Sequence, residues 1–478
     1  MPPLSSFRLE KFIRIICHVF FVYYIILSIV YCKERVIYLD TANYLFNIIQ
    51  SGLPNISGRP VALLTQILPL ILLKFEFPLK AIILSYSLNF SLLFYSVFLL
   101  CTYILKNTAA GLIILLSLCL CVRDTFYYPV TEIFQGVIYS ALFYAWLFSD
   151  FYNKLYQTQK YLSIIITILI ILLCYYTHPV CFFLIVFILG YKIIEQKDRK
   201  LSLSLIALSL VLFVGKALLT SETAGGGREY KQLLNLMHNI PLFFQLFPIK
   251  FLINHSWQYT TIYLLADIMI LLSLMHYFIT KNYLKSLWIL MSILVFLLVN
   301  GTVYAKGESG IILEKSLIPF GFFAALPFIH DVFFKIKLNK YLLIVFILCI
   351  LLLRFRDISK TAKTHLLRSN ELLSFCEKSQ QLNTQKLIIH SSEKSRKYIH
   401  ITWAMPYETL LISSLSNPEE AITCIDIGDF QLQNTDLGNQ YIFLHPKFSL
   451  GISDTRNLNS AYFNLKPCKY KMIKYSQF

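Results

Sequence analysis

Apolar segments follow one another almost without interruption from Phe12 to Phe355, and this decides what the chain can fold into. A soluble domain cannot bury that many long apolar runs, whereas a helical bundle in lipid can. A mean hydropathy of +0.62 and 57% hydrophobic residues place the chain in the same class. The expected fold is an all-α polytopic membrane bundle. In such a chain a formal net charge of +17 points to loops facing anionic lipid rather than to nucleic acid. Residues 12–32 are too long and too aromatic for a cleaved signal peptide, so they read as a first span. Eight of the 11 cysteines lie in apolar segments, where structural thiols are expected. Cys376, Cys424 and Cys468 lie in the polar tail, where at most one intramolecular disulfide can form among them.

Loop charge sets the expected topology. Clear spans are 12–32, 81–105, 133–149, 161–177, 179–194, 201–219, 259–279, 285–303, 316–334 and 338–355. Basic residues cluster at Lys154/Lys160, Lys192/Lys197/Arg199/Lys200, Lys281/Lys285 and Lys335/Lys337/Lys340, all of which the positive-inside rule assigns to the cytoplasm. Residues 161–194 must then turn at His178-Pro179, since one helix of that length would reach about 50 Å in a core of about 30 Å. Of two shorter runs, 60–74 and 108–122, parity lets only one cross. Lys106 and Pro69 favour 108–122. Either choice gives about 11 spans, a cytoplasmic N-terminus and an extracytoplasmic C-terminus, with Asp40, Arg59, Glu132 and His178 on the outer face.

The chain divides into a transmembrane domain, 1–355, whose outer loop 33–80 carries interfacial helices, and an exported α/β domain, 356–478. In the tail the apolar runs shorten to strand length at 386–390, 421–427 and 441–444, and 458–475 reads as a terminal hairpin.

Candidate chemistry gathers on the outer side. Asp40 opens a run in which Ala42, Leu45, Phe46, Ile49 and Leu53 keep helical spacing, so it is either the cap of an interfacial amphipathic helix or a carboxylate positioned as base or metal ligand. Glu132 opens a later span and offers the same two readings. Asp124 reads as a local ion pair with Arg123. His178 is a turn residue or a ligand. Arg59, between Gly58 and Pro60, can clamp phosphate or reach headgroups. Tyr44, Arg123 and Lys306 are further substrate-contact candidates; Glu308, Glu314 and Lys315 near Lys306 read first as a solvated loop. Residues 225–228 lack the strand–helix context of a nucleotide loop.

This arrangement resembles the GT-C superfamily of membrane glycosyltransferases, which includes protein mannosyltransferases and aminoarabinose transferases. Asp40 sits where that family carries its first-loop acid. Tyr128-Pro129-Val130-Thr131-Glu132 resembles its second acidic helix mouth, and Ser57-Gly58-Arg59-Pro60 its Pro-rich helix start. The first motif departs from the family's Asp-Glu by reading Asp40-Thr41, and the second carries Glu for Asp. The resemblance covers residues 1–200. It implies an inverting glycosyltransferase that moves a sugar from a polyprenyl-phosphate donor to a lipid, glycan or protein acceptor. It further implies Asp40 and Glu132 as catalytic residues, a divalent cation (Mg or Mn) held by Asp40, Glu132 and His178, and a bacterial inner (plasma) membrane setting. The alternatives are a glycan polymerase, ligase or flippase, for which Arg35, Arg59, Arg123 and Arg228 supply few arginines, and a transporter or scaffold. A transporter would draw on Lys216 and Asp267 within the spans.

Overall fold

The computed structural model describes residues 6–56, 58–130, 132–195, 198–220, 232–258, 261–335, 340–390, 398–426, 439–445 and 454–474. Ser57, Thr131, Lys197, Lys337 and the run 225–228 lie outside them.

Helices dominate. Among the described residues five are long and apolar enough to cross a membrane: Leu9–Val30, Leu79–Ile104, Lys160–Thr177, Tyr283–Val303 and Gly310–Phe333. Shorter apolar helices include Thr108–Ser117, Cys181–Ile194 and Leu264–Ile279. Local chemistry sets several boundaries. Asn107 accepts the Ala110 N–H at 3.0 Å and starts one helix, and Ser149 accepts from Tyr152 at 3.1 Å and starts another. Gly52, at φ +67°, ends Leu39–Ser51 by donating to the Ile48 carbonyl. At Gly111 a Cβ would collide with Thr102 and Phe98, so glycine there permits the close approach of two segments.

The short runs 60–74 and 108–122 behave differently. The first breaks into a 3₁₀ turn, Pro60–Thr65, and an eight-residue helix, Ile67–Lys74. At about 1.5 Å per residue that helix is only about 12 Å long. The second runs from Thr108, bonded to Arg14 at one end of the bundle, to Arg123, whose N–H reaches Glu314 near the other. Arg354 holds its unwound portion by donating to the Cys119 and Val122 carbonyls at 3.1 and 2.9 Å.

Hydrogen bonds and ion pairs sort the connecting loops onto two ends. Lys285, Lys335, Glu195, His330 and Asp331 meet at one. Asp40, Tyr44, Arg59, Tyr128 and Glu132 meet at the other. Helix Glu132–Leu147, of 16 residues and so about 24 Å long, connects them.

Helix Lys340–Gln381 crosses position 355 without a break and runs for 42 residues. Beyond Phe355 its buried face continues through Ile358, Ala362, His365, Ser369, Leu372 and Cys376 at helical spacing. The expected strand 386–390 forms as β1 (Lys386–His390), and 421–427 contributes β2 (Thr423–Asp426). The expected strand at 441–444 reduces to one bridge, Ile442 with Asp454. The expected terminal hairpin over 458–475 is not formed among its described residues: β3 (Lys471–Lys474) pairs parallel with β1 instead. Strand order is β2-β1-β3, all parallel, with Leu387 opposite both Cys424 and Lys471. Parallel pairing needs a crossover, and helix Met405–Ser413 lies between β1 and β2. One apolar core runs from Leu9 through the bundle to Leu465.

Helix Leu39–Ser51 is more deeply covered than its amphipathic pattern suggests. Nine of its residues, including Asn43 and Asn47, are buried. Phe46 packs on Tyr407, Phe443 and Phe463 with centroids 4.9, 5.8 and 5.8 Å away. Asn459 and Gln50 stitch it to the tail. On the polar face Gln50 bonds to Asn457 and Asn459 of the tail, Asn47 bonds to Asn43, and Ser51 stays exposed.

Candidate functional site

Asp40 occupies the second position of its helix, not the cap. The helix begins at Leu39, with Tyr38 as a cap residue that makes no side-chain capping bond. The Leu39 N–H donates to Glu408 at 2.7 Å, a fully buried carboxylate from the C-terminal domain. Glu408 in turn pairs with Arg368 at 2.5 Å, and Arg368 also donates to the Ile37 carbonyl and lies over the Tyr38 ring. Leu39 adopts φ +44°, a region that costs a non-glycine residue about 1–3 kcal/mol and persists only when its surroundings impose it. This buried clamp therefore sets the start of the helix, and Asp40 is released from capping.

The released Asp40 carboxylate, half-buried, accepts a hydrogen bond from the Tyr128 hydroxyl. One turn further along, Tyr44 donates to Glu132 at 3.5 Å. Glu132 is buried and pairs with Arg59 at 2.6 Å, and Lys315 is a second cation acting on it. Lys315 lies 4.9 Å from the Tyr128 ring centre. The two carboxylates are thus drawn together by tyrosines from each other's segments, and Tyr128 feels both charges. Tyr86 is fully buried, its hydroxyl has no hydrogen-bond partner among the described residues, and its electrostatic neighbours are Tyr44, Glu132 and Asp40.

His178 lies at the turn between Lys160–Thr177 and Cys181–Ile194. Burial first, then Arg59, Lys315 and Lys216, pushes it well below its ordinary pKa, so the ring is neutral. Its Nδ1 accepts the Val180 N–H at 3.1 Å, which places the ring proton on Nε2 and leaves no lone pair for a metal. Glu132 faces Arg59, and Asp40 accepts from Tyr128. Asp40, Glu132 and His178, the expected donor set, do not form a group with ligating atoms all within 4.8 Å of one another. Among the described residues the trio with metal-ligating atoms within 4.8 Å of one another is Glu195, His330 and Asp331, at the opposite end. Lys285 stands between its carboxylates at 2.9 Å from Glu195 and 2.8 Å from Asp331.

Arg123 belongs to a neighbouring cluster. It bonds Asp124 at 2.9 and 2.5 Å, as the sequence suggests, and Asp124 lies 3.5 Å from His365. Burial works to raise the Asp124 carboxyl, but His365 and Arg123 outweigh it and hold it below its usual value. Burial keeps His365 below its usual value despite Asp124. Tyr38 joins the clusters, with ring centres 5.7 Å from Tyr128 and 5.4 Å from His365. Lys306 is exposed, and no described contact ties it to the carboxylates.

The charged loop at 306–315 is less solvated than its sequence suggests. Glu314 is buried and accepts from the Arg123 N–H, the Thr125 N–H and the Thr125 hydroxyl at 2.7, 2.9 and 2.6 Å. It fixes the strand of chain leading to Tyr128 and leaves the adjacent Lys315 facing the site. Sequence reasoning reached Lys315 only as one charge of a mixed loop and Tyr128 only as part of the motif before Glu132, and it passed over Glu408 and Arg368.

Beside His178 an apolar cavity of about 80 Å³ opens between Ile133, Phe183, Phe213, Phe296 and Val299. Together these features make a charged side-chain cluster at one end of the helix bundle, with an apolar cavity beside His178. No protein-family model, curated protein or solved structure matches this chain.

Proposed function

We propose that the chain is an inverting glycosyltransferase of the GT-C kind, acting at the outer face of a membrane on a polyprenyl-phosphate sugar. The observation that carries this reading is the pairing of Asp40 and Glu132 around Tyr44 and Tyr128, with Arg59 and Lys315 as the cations of the same pocket. In the proposed reaction Asp40 takes the proton of an acceptor hydroxyl as its oxygen bonds to the anomeric carbon. The anomeric carbon–oxygen bond breaks on the opposite side, and polyprenyl phosphate leaves with the electron pair. Arg59 and Lys315 stabilise the phosphate charge that develops, and Glu132 orients Arg59. Tyr86 offers a donor to the sugar, and the apolar cavity at His178 is suited to the first isoprene units. Positioned in this way, the residues need no metal.

The test follows label from a radiolabelled polyprenyl-phosphate sugar into acceptor in membranes. Asp40→Asn should lower transfer by about 10²–10⁴-fold with protein level unchanged. Near-normal transfer by the variant would refute the assignment of Asp40 as base.

A second reading, a coupled transporter, draws on the buried Lys285–Asp331–Glu195 network, because charges buried among spans mark ion paths. Substrate-driven proton uptake in proteoliposomes, with no sugar transfer, would favour it.

A further inference from the structure

Of the three cysteines in the polar tail, the fold brings two together and holds the third apart. Cys376 lies on helix Lys340–Gln381 and Cys424 on β2, two elements that pack on each other. Both are buried, Cys376 at 4% exposure and Cys424 at 0%, and both sit against Thr409 of helix Met405–Ser413. The Cys376 thiol donates to the Thr409 carbonyl at 3.9 Å, and the Cys424 N–H donates to the Thr409 hydroxyl at 2.9 Å. The side-chain hydrogen-bond neighbours of the Cys424 thiol are Cys376 and Thr409. Cys468 is placed elsewhere: half-buried, its sulfur lies 4.0 Å from the Thr384 hydroxyl ahead of β1. Two thiols held side by side by the fold act on each other at high effective concentration, and an exported compartment lets such a pair persist as a disulfide.

We propose that Cys376 and Cys424 are joined as a disulfide in the exported protein, stapling helix Lys340–Gln381 to β2. The proposal rests on the extracytoplasmic placement of the tail and not on the chemistry at Asp40. The oxidant is a disulfide of the exported compartment, carried by a protein or a small thiol. One cysteine thiolate attacks a sulfur of that disulfide, forming a mixed disulfide and releasing one thiolate. The second cysteine thiolate then attacks the sulfur of the first and releases the other thiolate. The two protons lost by Cys376 and Cys424 end on the two released thiols, so the oxidant is reduced by two electrons. Burial pushes the folded Cys424 thiol far above its ordinary range, so the exchange takes place as the tail folds, while both sulfurs still meet the oxidant. The bond closes residues 377–423 into a loop that carries Glu408, and Cys376 lies about two turns beyond Arg368 on the same helix. Both partners of the clamp that sets the start of Leu39–Ser51 are thereby tied to one cross-linked frame.

The experiment uses the full chain. Cells expressing it are quenched with acid and N-ethylmaleimide, and membranes are solubilised without reductant. The denatured protein is digested and mapped by mass spectrometry. In parallel, a reporter fused to the C-terminus of the full chain reads the side of the membrane. The expected result is a linked Cys376–Cys424 peptide pair in most chains, lost on reduction, with Cys468 alkylated. Reductant should lower the thermal midpoint of the purified wild type and of Cys468→Ala, but not that of Cys376→Ala/Cys424→Ala. If both thiols are alkylated while the reporter is active outside, the disulfide is overturned and the topology stands. If both are alkylated and the reporter is active inside, the exported placement falls and the disulfide falls with it. A link through Cys468 would overturn the pairing.

Discussion

At the scale of single residues, the clearest division of labour is between Asp40 and Glu408. Glu408 takes the Leu39 N–H and the Arg368 charge, and Asp40 keeps its carboxylate for the pocket. Their substitution should therefore have opposite signatures. Glu408→Ala leaves Arg368 buried without its partner and should cost about 3–5 kcal/mol, read as a large drop in thermal midpoint of the purified protein. Asp40→Asn removes no cap and should barely move that midpoint. Equal destabilisation by both would return Asp40 to a structural role.

At the scale of elements, helix Lys340–Gln381 is the part that joins bundle and tail. Its 42 residues span about 63 Å, twice a bilayer core of about 30 Å. Its stretch beyond Phe355 holds the site's supports: the Ile358 carbonyl accepts from Tyr127, His365 stacks on Tyr127, and Arg368 clamps Glu408. Lys363 is exposed on this helix, so Lys363→Ala should be silent. Lys363→Pro removes a backbone bond and should cost about 3 kcal/mol or more, exposing the tail to limited proteolysis while the bundle stays intact. Resistance of the proline variant would show that the helix does not carry the tail. This element also shows what the sequence could convey. The long apolar helices and β1 announced themselves by hydropathy and period. The helix beyond Phe355 did not, because its buried face includes His365, Arg368 and Ser369 and its mean hydropathy falls. The amphipathic pattern at 39–51 is legible, but the burial of Asn43 and Asn47 is not, and only the fold brings Tyr407, Phe443 and Phe463 onto Phe46. Asp40 and Glu132 stand out as acids at helix starts and Lys315 as one charge of a mixed loop, whereas Glu408 comes from a distant segment and carries no local sign of its use.

At the scale of the whole molecule, Lys106, Lys154, Lys285 and Lys335 share the end away from Asp40 and Glu132. The positive-inside rule would place that end in the cytoplasm. A reporter fused after Gln381 should be active only outside the cytoplasm, and one fused after Thr158 only inside. The reverse pattern would place the Asp40 pocket in the cytoplasm and end the proposal of an exported donor. The central claim is that this pocket cleaves a polyprenyl-phosphate sugar, and the product common to every acceptor is free polyprenyl phosphate. The most direct measurement is therefore its release by the purified protein in native lipid extract across a panel of polyprenyl-phosphate sugars. The account predicts release from at least one donor by the wild type and a loss of about 10²–10⁴-fold in Asp40→Asn. No release from any donor by well-folded wild-type protein would contradict it.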